Sequence, residues 1–268
     1  MYKEYWRLQK KPFENTPDPL FLYHSEEHEE AFARLMYAVT NKKGGALLSG
    51  EYGAGKTLLS RTIINGLAED KYEIALITNP NFPPEQLVPE ILYQLGTENI
   101  NRNMKIDSVH AFNDLLYKNY ELNKNTIIIV DEAQLIEDTR MFEEIRLLLN
   151  FQLNDQFLLT LILMGQPELK AKVAKIPQFK QRISISYHLT GLSEKEIAKY
   201  IKHRLTVAGT SSDIFLKACF SPICSYSKGI PRVINNICDL ALFIGFNKRI
   251  DAIGKAIIME IIDDLSKD

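Results

Sequence analysis

Two short runs in this sequence carry residue types suited to phosphate chemistry. Gly50-Glu51-Tyr52-Gly53-Ala54-Gly55-Lys56-Thr57 matches G-x-x-x-x-G-K-[ST] at every position. A loop of this kind turns successive backbone N–H groups inward around a phosphate. Lys56 is then expected to reach the β- and γ-phosphates, and Thr57 to hold Mg2+ through its hydroxyl. Leu58 lies just beyond, where a helix opening near Lys56 adds the positive end of its dipole. The second run, Ile127-Ile128-Ile129-Val130-Asp131-Glu132, is an apolar strand ending in two carboxylates. Such a pair is costly at a buried strand end unless it faces a polar cleft. Asp131 is placed to orient Mg2+ and its waters, and Glu132 to take a proton from an attacking water. Together the runs imply that ATP is bound with Mg2+, and Glu132 favours hydrolysis over simple retention.

Both runs need a sheet edge to hold them, and the surrounding pattern supplies one. Residues 45–49 (GALLS), 73–78 (EIALIT), 126–130 (TIIIV) and 158–164 read as strands. The third and fourth are continuous apolar runs, as central strands covered on both faces must be. Residues 57–69, 85–95 and 108–122 have helical spacing, and Asn79, Pro80 and Pro83-Pro84 close the second strand. Strand signals fade after about Tyr187. Residues 193–208, 214–225, 231–246 and 252–265 then fit helical periodicity, with Gly229 as a break and Pro231 in a first-turn position. The expectation is a three-layer α/β P-loop core with a parallel sheet over residues 1–189, N-terminal extension included. An all-helical lid domain follows over 190–268. In open α/β sheets, ligands bind at the carboxyl ends of the strands.

Composition narrows the class. Hydrophobic residues make up 46% of the 268, enough for a sizeable core. The net charge of −2, from 32 basic and 34 acidic residues, argues against a protein that coats nucleic acid. Local basic clusters (Lys10-Lys11, Lys42-Lys43, residues 170–180) keep DNA open as a partner. Cys219, Cys224 and Cys238 have no neighbouring His or Cys to complete a zinc site and read as buried, reduced thiols. No run approaches the ~18 apolar residues of a membrane span, and the N-terminus has no signal-peptide core. These features lead us to expect a cytoplasmic protein.

Several further runs resemble one family. Asp131-Glu132-Ala133-Gln134, Glu144-Ile145-Arg146-Leu147-Leu148 and Gly165-Gln166-Pro167-Glu168-Leu169 are similar to motifs of the ExeA/GspA family of AAA+ ATPases. That is the general secretion pathway protein A group, which includes pilus-biogenesis ATPases. Pro12-Phe13, Pro17-Asp18-Pro19, Gln181-Arg182-Ile183 and Gly229-Ile230-Pro231-Arg232-Val233-Ile234-Asn235-Asn236 fit it too, so the likeness runs along nearly the whole chain. It implies roles for particular residues. Gln166 would be the polar sensor that aligns water and γ-phosphate, against a plain turn role. Arg182 would be the finger that enters a neighbouring subunit's site, with Arg140 and Arg146 as rivals. Arg232, after Pro231, would contact the γ-phosphate in its own chain. Asn79 would restrain Glu132 until a partner binds, against a turn role of its own. Phe13, Pro17 and Ile230 are candidates to flank adenine, against simple packing.

The resemblance implies a homo-oligomer acting on a protein partner of a secretion or pilus apparatus. The alternative is a DNA-binding regulator like the TniB/TnsC transposition ATPases, and a third reading is a scaffold that binds ATP and barely hydrolyses it. Family members usually continue into a membrane helix and a peptidoglycan-binding part. The residues up to Asp268 hold neither, so peptidoglycan is not implied.

Overall fold

In the computed structural model, which describes residues 2–97 and 105–267, the apolar runs form a sheet with one strand more than they predict. Strands β1 (Gly45–Gly50), β2 (Tyr72–Ile77), β3 (Asn125–Val130), β4 (Leu159–Gly165) and β5 (Ile183–Leu189) lie in the order β2-β3-β4-β1-β5. Every neighbouring pair is parallel, so the C-terminal ends share one edge. β1, β3 and β4 are buried along their whole length, which is why their sequences are unbroken apolar runs. β5 falls where the strand signal fades. It is an edge strand whose residues alternate between partly buried and exposed, so serines interrupt its hydrophobic pattern.

Helices α1 (Tyr2–Tyr5), α2 (Glu26–Thr40), α3 (Lys56–Gly66), α4 (Leu87–Gln94), α5 (Lys105–Glu121) and α6 (Thr139–Leu148) precede β4. Helices α7 (Pro167–Ala174) and α8 (Pro177–Arg182) connect β4 to β5. After the sheet come α9 (Glu194–Val207), α10 (Phe220–Ser227), α11 (Pro231–Lys248) and α12 (Lys255–Leu265). Ser193 and Glu196 cap α9 reciprocally, which satisfies N–H groups that a helix start leaves without partners. The helix expected over 214–225 starts late. Phe215 instead pairs with Ile253 in an extended bridge and Lys217–Cys219 forms a 3-10 turn, so Ile214 and Phe215 are buried without a helix. No helix among the described residues is long and apolar enough to cross a membrane.

The chain divides into two compact units. One comprises Glu30–Gly50 and Ser60–Leu189 and contains the sheet. Its core includes Leu47, Ile128, Phe142, Leu163 and Phe179. The other comprises Met1–Glu29, Glu51–Leu59 and Thr190–Asp268. Its core joins Trp6 and Phe13 to Ile201, Ile237, Leu242 and Ile258.

One expectation is thereby corrected. Residues 1–29 do not extend the α/β core; they complete the helical unit. The Trp6 indole N–H donates to the Leu242 carbonyl at 2.9 Å, and the Tyr2 hydroxyl to Asp239 at 2.6 Å. Arg204, 5% exposed, donates to the carbonyls of Pro12 and Glu14 and lies over the Phe21 ring at 4.8 Å. A buried guanidinium is tolerated only when its donors are satisfied, and the N-terminal segment supplies those acceptors. Tyr200 donates to Asn235 at 2.8 Å, and Asn235 donates to Asn15 at 3.0 Å, which extends the network. Burial pushes the Cys219 thiol up to about 11 and Cys238 well above the usual thiol range, so both stay protonated and inert.

Candidate nucleotide-binding and hydrolysis site

The phosphate loop is shaped by backbone geometry. β1 ends at Gly50, residues 51–55 form the turn, and α3 begins at Lys56. Gly53 and Gly55 adopt φ of 81° and 104°, where an L side chain is strained. Space is also short. A Cβ on Gly53 would stand 2.5 Å from the Arg232 Cβ, and one on Gly55 would stand 2.8 Å from Nε2 of His28. The buried Lys56 folds back across the loop, its ammonium donating to the Glu51 carbonyl at 3.0 Å.

His28 supports this loop from beneath, and nothing in the sequence marks it. The Ser25 hydroxyl accepts from the His28 backbone N–H at 3.2 Å and lies 2.6 Å from Nδ1. With Ser25 donating to Nδ1, Nε2 carries the proton and donates to the Ala54 carbonyl at 3.1 Å. That network assigns the tautomer. Burial lowers the pKa of the ring and keeps it neutral, as the network requires.

Arg232 meets the same loop. Pro231 sits in the first turn of α11 with Ile230 as its N-cap. The next residue, Arg232, places its guanidinium 4.2 Å from the Tyr52 ring centroid and donates its backbone N–H to the Gly53 carbonyl at 3.3 Å. The structure therefore brings together two features that the sequence singled out separately, Arg232 and the phosphate loop. Phe13, by contrast, is 2% exposed and packs edge-to-face on Phe215 at 5.9 Å. It belongs to the core of the helical unit and is not open to an adenine ring.

The carboxylates sit at the C-terminal end of β3. Asp131 is 2% exposed; its N–H donates to the Ile77 carbonyl and its Oδ1 accepts from the Glu132 N–H, both at 2.8 Å. Glu132 has φ 51° and ψ 32°, a left-handed conformation uncommon for a residue with a side chain. Gln134 donates from Nε2 to Oε2 of Glu132 at 2.5 Å and accepts the Gln166 backbone N–H at 3.0 Å. The Gln166 side-chain amide makes no hydrogen bond among the described residues and is half-buried. Asn79 makes no hydrogen bond to Glu132 among the described residues. Its Oδ1 accepts from the Asn81 N–H at 3.2 Å in a local turn, and the carboxylate it was expected to restrain is held by Gln134 instead.

The three arginine candidates differ in what occupies them. Arg182 donates to the Leu149 carbonyl at 2.8 Å and to Asn150 at 3.2 Å, closing the C-terminal end of α6. Arg146 pairs with Glu143 at 2.7 Å and is 19% exposed. Arg140 is 71% exposed and pairs with Asp138 at 2.7 Å. Taken one side chain at a time, Asp131 and Thr57 each carry a hard oxygen donor. Mg2+ takes one or two of these from a protein while keeping water and phosphate oxygens, so the residues present fit that ion.

These features agree with the comparisons to known proteins. A family model described as an AAA domain matches residues 39–173, a span that includes the phosphate loop and both carboxylates. The chain belongs to the AAA family of ATPases, and within it to the general secretion pathway protein A group. It is 37% identical over 250 residues to general secretion pathway protein A of Aeromonas hydrophila, covering 92% of this chain and 45% of that protein. The chain thus spans less than half the length of that relative. Among solved structures, the Aeropyrum pernix ORC2 protein superposes with a TM-score of 0.72 at 16% identity, over 95% of this chain and 71% of that one. The Thermotoga maritima RuvB Holliday junction branch migration motor gives 0.60 at 18% identity, over 91% and 70%. At such identities the likeness is one of fold.

Proposed function

We propose that this chain hydrolyses ATP as a homo-oligomer and couples turnover to the assembly or remodelling of a protein machine of the secretion or type IV pilus kind. One observation carries the enzymatic part: Glu132 follows a buried Asp131 at the strand edge in a strained backbone conformation, with its carboxylate oriented by Gln134. Strain of this kind costs about 1–3 kcal/mol and persists where a structure uses it. A scaffold that only retained nucleotide would have no need to orient an acid there. The secretion part rests on the similarity to general secretion pathway protein A.

In this reading the N–H groups of residues 51–57 and the Lys56 ammonium hold the β- and γ-phosphates. Thr57 and Asp131 hold Mg2+, which neutralises charge on the phosphate oxygens when bound. Glu132 accepts a proton from water as its oxygen attacks the γ-phosphorus and the bond to the ADP oxygen breaks. The Gln166 amide aligns that water, and Arg232 registers the γ-phosphate in its own chain. Arg182 is the residue proposed to act in a neighbouring subunit, and to do so its guanidinium must leave the end of α6. Asn79 is left with its turn.

The test is the ATPase rate per subunit measured against protein concentration, with and without double-stranded DNA. A rate that climbs with concentration and ignores DNA supports the proposal. Strong stimulation by DNA, lost at high salt, favours a DNA-directed regulator instead. Glu132→Gln in the same assay should keep ATP bound while turnover falls roughly 10²–10⁴-fold. An unchanged rate would remove Glu132 as the base.

A further inference from the structure

Gln134 stands out because both ends of its side chain, and its backbone, are fixed. The residue lies in the 3-10 turn Ala133–Leu135 that follows Glu132. The Lys172 ammonium donates to the carbonyls of Gln134 at 2.6 Å and Ile136 at 2.7 Å, pinning the turn to α7. The side-chain amide then spans from the Glu132 carboxylate to the backbone N–H of Gln166. Chemistry decides which way round it sits. A carboxylate only accepts and a backbone N–H only donates, so Nε2 must face Glu132 and Oε1 must face Gln166. No other uncharged side chain of this length has a donor at one corner and an acceptor at the other.

The sheet makes room for this contact. A Cβ on Gly165, the last residue of β4, would stand 2.6 Å from Oε1 of Gln134 and 3.2 Å from its backbone nitrogen. Any larger residue there would push the amide away from the Gln166 N–H. The absent side chain at 165, the Lys172 clamp and the two hydrogen bonds all serve one placement of one amide.

We propose that Gln134 is a positioning residue that fixes the direction of the Glu132 carboxylate and ties it mechanically to the backbone of Gln166. This rests on the reading of Glu132 as general base. Base and water-aligning side chain then move as a unit: a shift of the chain at Gln166, where β4 passes into α7, repositions the carboxylate as well. Gln134 supplies that link from within the sheet unit, whereas Asn79 hydrogen-bonds within its own turn. The Gln134 side chain is engaged at both ends by protein groups, so it acts through Glu132.

A double-mutant cycle on the 268-residue chain tests the proposal. Gln134→Leu keeps the bulk and removes both hydrogen bonds. It should lower kcat by about 10- to 100-fold, the cost of a misplaced catalytic group. ATP affinity should stay within about twofold, because the phosphate loop is not involved. Gln134→Glu keeps the shape and the acceptor at Gln166 but sets an acceptor against the Glu132 carboxylate, so it should fall at least as far. In the Glu132→Gln background, Gln134→Leu should add nothing further, since the residue acts only through that carboxylate. Melting temperatures of all variants near the wild-type value would exclude a folding defect as the cause.

Gln134→Leu or Gln134→Glu turning over at the wild-type rate overturns the inference. So does a Gln134→Leu factor that multiplies in full onto the Glu132→Gln loss. If Glu132→Gln is itself as active as wild type, the reading of Glu132 fails and this inference fails with it. An inactive Glu132→Gln beside fully active Gln134 variants sinks the inference alone.

Discussion

Around the phosphate loop, close steric contacts and an aromatic ring add to hydrogen bonds on the loop carbonyls, whereas the direction of the Glu132 carboxylate is set by one side-chain amide. Gly53 and Gly55 let the backbone turn where Arg232 and His28 press closely on it, and the Arg232 guanidinium lies over the Tyr52 ring. Glu132, in contrast, is aimed by a single amide whose own orientation is set by what each neighbour can donate or accept. The two arrangements answer different needs. A loop that surrounds a phosphate must have the right backbone shape, and shape is kept by exclusion of volume. A general base must present one oxygen in one direction, and direction is kept by hydrogen bonds. Damage to the first should therefore appear as lost binding, and damage to the second as lost turnover.

The largest expected effect that would sharpen this contrast comes from Gly55→Ala. At φ of 104° and with His28 Nε2 2.8 Å from the new Cβ, the loop must distort. Backbone strain of about 1–3 kcal/mol, added to the clash, should weaken ATP binding by roughly a hundredfold, measured by calorimetry or a fluorescent analogue. Near-normal affinity with a low kcat would break the division between the halves. Arg232→Ala is expected next, with ATP affinity reduced by about tenfold, the worth of one charged hydrogen bond. An equal loss for ADP would show that Arg232 supports the loop through Tyr52 and does not register the γ-phosphate.

The smallest effect concerns His28. Burial holds its folded pKa below the unfolded value of about 6.5, and the weaker opposing pull of the Ala54 carbonyl, Glu196 and Glu27 does not cancel this. Its neutral form contributes stability that is present above that pH and lost as pH falls through the depressed folded value. His203, likewise lowered by burial, adds a fall of the same sign. His28→Gln should therefore melt with a smaller loss between about pH 7.5 and 5.5 than wild type, by roughly 2 °C. Identical losses would mean that His28 does not titrate with unfolding.

Some of this was open to reading from the chain alone. β1, β3 and β4 are central strands, and a strand covered on both faces can be built only from an apolar run. β5 escapes because an edge strand needs apolar residues on one side only, and Ile-Ser-Ile-Ser is a weak signal beside a helix. The phosphate loop and the Asp131-Glu132 pair are legible for a related reason: their chemistry is local, so it dictates residue types at fixed spacing. The partners of those residues are not local. His28 reaches Ala54 across 26 positions and Gln134 reaches Gln166 across 32, and a histidine or glutamine at such distances looks like any other.

By itself, then, the sequence determined the α/β core and the order along it of the phosphate loop and the carboxylate pair. Turn geometry and phosphate chemistry constrain neighbouring residues tightly enough to be read in one dimension. Only the tertiary structure decided that residues 1–29 belong with the helical unit, that Arg182 closes α6, and that Gln134 rather than Asn79 holds Glu132. In the first two cases the deciding contacts join groups far apart in the chain, and in the third the amide beside Glu132 is fixed by its bond to Gln166, 32 positions on. Many side chains have the right donor or acceptor for such a bond, and only folding chooses which of them arrives.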